Sequence, residues 1–146
     1  MRIVMFYHSI RSDWNHGNAH FLRGVVSELI HRGHDVTVYE PRQNWSVRNL
    51  VQDQGKAALG DFRTTYPTIR SRCHNPSSPD VATMINGAEL VIVHEWNEPA
   101  LVAALGKARA QSNDFILLFH DTHHRAVTDP KAMAKFDLSH YDGVLA

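Results

Sequence analysis

Apolar positions in this chain fall either into short unbroken runs or into longer stripes at helical spacing, and the two kinds alternate. Residues 90–93 (Leu-Val-Ile-Val) and 115–119 (Phe-Ile-Leu-Leu-Phe) are wholly apolar, and each run stops abruptly at a histidine and a carboxylate, His94-Glu95 and His120-Asp121. Runs of that length without alternation suit strands buried on both faces, as in a parallel sheet. Between them, residues 99–109 place Leu101, Val102, Leu105 and Ala108 on one helical face, with Pro99 tolerated in the first turn. Such a strand–helix–strand crossover is right-handed almost without exception. Both polar clusters are therefore expected at one edge of the sheet, beyond the carboxyl ends of adjacent strands, where open α/β sheets bind ligands.

The same alternation runs through the rest of the chain. Residues 2–7 form an apolar strand ending at His8-Ser9, and a polar loop leads to a helix over 18–32. Phe21, Leu22, Val25, Val26, Leu29 and Ile30 predict a broad buried stripe on that helix. Gly24 lies on the stripe, where it costs about 1 kcal/mol against alanine, and close packing on the sheet is the expected reason. Gly33 stands where a left-handed C-cap belongs, and residues 35–40 alternate as a strand closed by Pro41. Residues 46–59 predict a helix with Val47, Leu50, Val51 and Ala58 inward and Gly55 as a weak point; residues 68–72 predict a short edge strand. Asp80 caps a short helix to about Gly87, residues 130–138 predict a helix, and 143–146 open another apolar strand. The order predicts an α/β fold, a doubly wound parallel sheet of Rossmann type in a single domain.

Composition narrows the partners. The chain has 146 residues, 43% of them hydrophobic, with formal net charge +0, so a folded core is expected and nucleic acid is not an expected partner. Cys73 is the only cysteine, which excludes a disulfide framework and fits a reducing, cytoplasmic setting. No run is long enough to span a bilayer. Residues 42–72 carry Arg42, Arg48, Lys56, Arg63, Arg70 and Arg72 against Asp53 and Asp61. A solvated helix face accounts for that bias, and the alternative is peripheral contact with an anionic membrane surface.

Several chemistries can be set aside. A dinucleotide site needs Gly-x-Gly-x-x-Gly after the first strand, and this loop holds only Gly17. Glu40 could mimic a ribose-binding acid, but alone it is a polar strand end. Zinc needs three or four converging ligands, and on a loop after a strand the spacing of His94, His120, Asp121, His123 and His124 does not guarantee convergence and lacks the His-Glu-x-x-His helix signature, so no metal and no resident cofactor are expected. What remains is an edge with His8, Ser9, Gly17, Asn18, His94, Glu95, Trp96, Asn97, His120 and Asp121. Histidine beside a carboxylate suits general base work near neutral pH. Glu95, Trp96 and Asn97 are what a sugar needs, bidentate hydrogen bonds to hydroxyls and an apolar face. The helix start at Gly17-Asn18 offers amides and a positive dipole end to a phosphate or diphosphate.

At these residues the chain resembles the N-terminal, acceptor-side half of a GT-B-fold glycosyltransferase, the group that includes bacterial mannosyl- and glucosyltransferases acting on lipids and glycans. The resemblance rests on Leu29-Ile-His-Arg-Gly-His-Asp-Val-Thr-Val-Tyr, on Val91-Ile-Val-His-Glu-Trp-Asn-Glu-Pro and on Leu118-Phe-His-Asp. It implies transfer of a sugar from a nucleotide-sugar co-substrate to a sugar, glycan or lipid-linked acceptor. It makes His120 the active-site histidine with Asp121 as its orienter, sets Gly17 and Asn18 near the donor diphosphate, and lines the acceptor cleft with His94 and Glu95. In that family the nucleotide-sugar pocket lies in a C-terminal domain that this stretch does not contain, so an exposed interdomain face open to self-association is expected. The rival readings are a Rossmann-like binding module that recruits a separate donor-binding subunit, and a small metal-assisted hydrolase using the histidine cluster.

Overall fold

The computed structural model describes residues 1–15, 17–122 and 125–146, without the side chain of Ala126. Its framework is β1 (Arg2–Phe6), α1 (Asn18–His31), β2 (Asp35–Pro41), α2 (Trp45–Gln54), α3 (Ala58–Thr65), β3 (Arg70–His74), α4 (Val81–Ile85), β4 (Leu90–His94), α5 (Pro99–Gln111), β5 (Ile116–His120), α6 (Arg125–Thr128), α7 (Pro130–Met133) and β6 (Gly143–Leu145). The strands form one sheet in the order β3-β2-β1-β4-β5-β6, and every pairing is parallel. This is the Rossmann-like doubly wound arrangement, with the order reversing between β1 and β4. Among the described residues no helix is long and apolar enough to cross a membrane.

Strand alternation divides the core in two. Val4, Phe6, Val91, Val93, Leu117 and Phe119 pack with Leu101, Val102 and Leu105 of α5, and Ile3, Met5, Val36 and Val38 pack with Leu22 and Val26 of α1. Arg23, 7% exposed, locks the second layer: its Nε donates to the Ile10 carbonyl, Nη1 to Asp13, and its guanidinium lies 5.4 and 5.3 Å from the Phe62 and Tyr66 ring centres.

Several expectations change. Of the stripe expected on α1, Leu22 and Val26 are buried and Val25, Leu29 and Ile30 pack partly buried against the same core, while Phe21 is 56% exposed; Ala19 and Arg23 join the buried face. Gly24 is exposed with nothing within 4 Å of an added Cβ, so close packing is not its reason. The helix expected over 46–59 is two helices, α2 and α3, divided at Gly55, whose φ of 80° is left-handed. Residues 130–138 are helical only through Met133, because the chain turns back to bring Phe136 and Tyr141 against Phe119. Nor is β5 covered on both faces: Ile116, opposite in alternation to Phe115 and Leu117, is 53% exposed. The basic residues of 42–72 all stand in solvent.

Candidate functional site

The register of β4 against β5 pairs His94 with His120, so the two polar strand ends lie side by side at the carboxyl edge, next to the point where strand order reverses. Side chains on one face of each strand share a direction, and the two imidazole centres are 5.4 Å apart. The two rings have different surroundings.

His94 is 1% exposed and its bonds fix its tautomer. Nδ1 accepts from the Trp96 amide at 3.3 Å, so the proton belongs on Nε2, which donates to Thr122 Oγ1 at 2.9 Å. The Thr122 hydroxyl donates to Glu95 Oε1 at 3.2 Å, its amide donates to the same oxygen at 3.0 Å, and its hydroxyl also accepts from Asn18 Nδ2 at 3.4 Å. A hydroxyl has one donor and two acceptor positions, and all three are engaged. Thr122, which the sequence reading passed over, thus ties the start of α1 to the ends of β4 and β5.

His120 is half-buried, and its Nδ1 lies 2.5 Å from the hydroxyl of Tyr7. Nε2 has no hydrogen-bond partner among the described residues. Burial holds this imidazole below its usual pKa, and the carboxylates of Glu95 and, to a lesser degree, Asp121 oppose that shift. The expected orienter was Asp121; at Nδ1 the structure places Tyr7. Tyr7 is 4% exposed, its pKa is pushed up by burial, and its ring is stacked on His94 at 4.9 Å. A neutral phenol against a neutral imidazole permits two arrangements. Donation from Nδ1–H to the phenol oxygen leaves Nε2 a base, whereas donation from Tyr7 makes Nε2–H a donor.

The other predicted residues divide between inner and outer positions. Ser9 is fully buried, donating to Glu40 Oε2 at 2.9 Å and accepting from the Ser12 amide at 3.1 Å, so its hydroxyl serves the first loop rather than the cleft. Asn97, 5% exposed, staples β1 to β4 by donating from Nδ2 to the carbonyls of Phe6 at 2.8 Å and His94 at 2.9 Å. Glu95 is 1% exposed, with Arg125 Nη1 3.7 Å from its Oε2. Gly17 is exposed ahead of an α1 start that has no side-chain cap and no acid in its first turn, so that helix end stays open. Trp96 is 39% exposed.

Glu40 is completely buried and receives Ser9 Oγ, the Ile10 amide, Arg11 Nε at 2.5 Å, Asn44 Nδ2 and Ser71 Oγ. Arg11 also reaches Cys73 Sγ at 3.1 Å. The carboxylate is a staple for the first loop and has no room for a ribose.

The three tryptophans were not read together from sequence, yet they meet. Trp14 and Trp45 are 6.2 Å apart, Trp45 and Trp96 6.5 Å, and the His8 ring lies 5.0 Å from Trp45 and 6.0 Å from Trp96. The available signal was position: each tryptophan lies in the stretch that follows a predicted strand. Among the described residues no group of three or more His, Cys, Asp or Glu is placed to hold a metal, and His123 and His124 lie outside those residues. No protein-family model matches this chain, and no curated protein matches it.

Proposed function

We propose that this domain is the acceptor side of a cytoplasmic glycosyltransferase, binding a sugar, glycan or lipid-linked acceptor beside His120 while a second domain presents a nucleotide sugar. The observation that carries the reading is the contrast at the sheet edge: His120 keeps a ring nitrogen without a partner among the described residues, while its other nitrogen is held by buried Tyr7. A half-buried imidazole kept neutral near pH 7 is suited to taking a proton from an attacking hydroxyl. Trp96 and the open start of α1 supply the flat apolar surface and the positive end that a sugar and a diphosphate require. Glu95 and His94 act behind this surface through Thr122. The exposed face of β5 and β6, with Ile116 at 53% and Leu145 at 40%, supports docking of a further domain or a second copy.

Sugar transfer from a panel of nucleotide sugars to hydroxyl acceptors tests this. In the two-domain protein, transfer should fall about 10²–10⁴-fold in His120→Ala, and this stretch alone should fold without catalysing it. Transfer by the stretch alone, or transfer unaffected by His120→Ala, would refute the reading.

A further inference from the structure

On the α5 side of the same edge, the end of β4, the start of α5, Arg125 and residues 132–136 line a hollow of about 380 Å³. That is at the small end of the range for ligand sites, about 300–1,000 Å³. Phe136 and the half-exposed indole of Trp96 form its apolar wall. Arg125 lies 6.0 Å over the Trp96 ring, and its 3.7 Å separation from Glu95 is beyond hydrogen-bond reach, which leaves guanidinium donors for another acceptor. Lys135 is exposed and enters no ion pair among the described residues. Two cations against the one lining carboxylate, Glu95, leave an excess positive charge.

Asn97 in the same lining supplies an independent observation. Its Nδ2 is committed to two strand-end carbonyls, which fixes the orientation of the amide. Its Oδ1 is buried and has no hydrogen-bond partner among the described residues. A buried acceptor without a donor is destabilising, and a hydroxyl that reaches it relieves that cost.

We propose that this hollow binds a phosphorylated sugar, with the pyranose on Trp96, a hydroxyl on Asn97 and the phosphate between Arg125 and Lys135. The proposal goes beyond the sugar-acceptor reading above, because the hollow is lined without His120, whose ring alternates onto the α1 side of the sheet beside Phe21 and Tyr7; the phosphate belongs to a free hexose phosphate or to a lipid-linked one.

Calorimetric titration of the 146-residue chain with hexose 1-phosphates, hexose 6-phosphates, the free hexoses, hexuronates and inorganic phosphate provides the test. At least one phosphorylated hexose should bind about tenfold more tightly than its hexose, its uronate or phosphate alone, and R125Q and K135Q should each weaken it about tenfold. An alkyl phosphohexose that binds tighter still identifies the lipid-linked source; equal binding identifies the free one. Absence of saturable binding, equal binding of phosphate alone (an adventitious ion only), equal binding of the uronate, or affinity unchanged in K135Q would overturn the proposal. Lys135 is exposed, so that variant remains decisive even if R125Q unfolds. Binding is read without sugar transfer, so a hollow that binds in a protein that transfers nothing refutes the transferase reading alone.

Discussion

Glu40 and Glu95 stand at the carboxyl ends of the two strands that flank β1, and both are withdrawn from solvent. Glu40 is surrounded by donors from the first loop, from α2 and from β3, with Arg11 closing the charge at 2.5 Å. Glu95 meets the Thr122 amide and hydroxyl on one oxygen and faces Arg125 at 3.7 Å with the other, next to a hollow that opens to solvent. The same residue type at the same edge thus closes one half of the sheet and borders a site on the other. A buried carboxylate is evidence of function only where its surroundings leave space for something else.

The two carboxylates can be set against each other directly. Glu40→Gln leaves Arg11 beside a neutral partner in a mostly buried position and should cost about 2–3 kcal/mol in urea unfolding. Glu95→Gln keeps an acceptor for Thr122 and faces a partly solvated cation, so it should cost about 1 kcal/mol. Equal costs would remove the distinction. Next in size is Thr122→Val, which keeps the side-chain volume but deletes the hub between Asn18, His94 and Glu95; a loss of about 1–2 kcal/mol is expected. A value near zero would make that network incidental.

A smaller effect is read through pH. Burial holds His74 and His120 below the usual histidine range; for His74 the Asn75 backbone and Glu40 oppose it. With folded pKa values below unfolded ones of about 6.5, the unfolded chain binds more protons between the two values, so stability rises with pH there. The contribution is complete above about pH 6.5 and is lost as pH falls through the folded values. Urea unfolding at pH 7.5 and 5.5 should show the loss, and His74→Leu should reduce it; an unchanged slope in that variant would contradict the assignment. Smallest is Tyr7→Phe, about 1 kcal/mol, accompanied by a shift in the His120 titration followed by NMR. An unchanged titration would mean that Tyr7 does not hold the ring.

The fold was legible because its determinants are local. Apolar runs at 2–7, 90–93 and 115–119 ending in polar residues mark strands and their carboxyl ends, and helical stripes between them dictate the parallel crossovers. The site was legible only as an edge. Whether Ser9 opens to a ligand depends on Glu40, 31 residues away, and the state of His120 depends on Tyr7, 113 residues away. Neither separation leaves a local pattern. Tyr7 reads as the last member of an apolar run, and Thr122 as an ordinary loop residue, until the β4–β5 register brings their partners together. The uncovered side of β5 was hidden for a related reason, because an apolar strand reads alike whether both faces or one are covered.

Paired measurements on His94→Ala and His120→Ala test the division of this edge most directly, with thermal melts beside kcat and KM for sugar transfer in the two-domain protein. His94→Ala removes the bonds to Trp96 and Thr122 and the stacking on Tyr7, so its melting temperature should fall clearly. His120→Ala should melt close to the wild type while kcat falls about 10²–10⁴-fold. A His120→Ala protein that unfolds early yet keeps near-normal kcat would show that His120 is a core residue and that the open half of the edge is not the site.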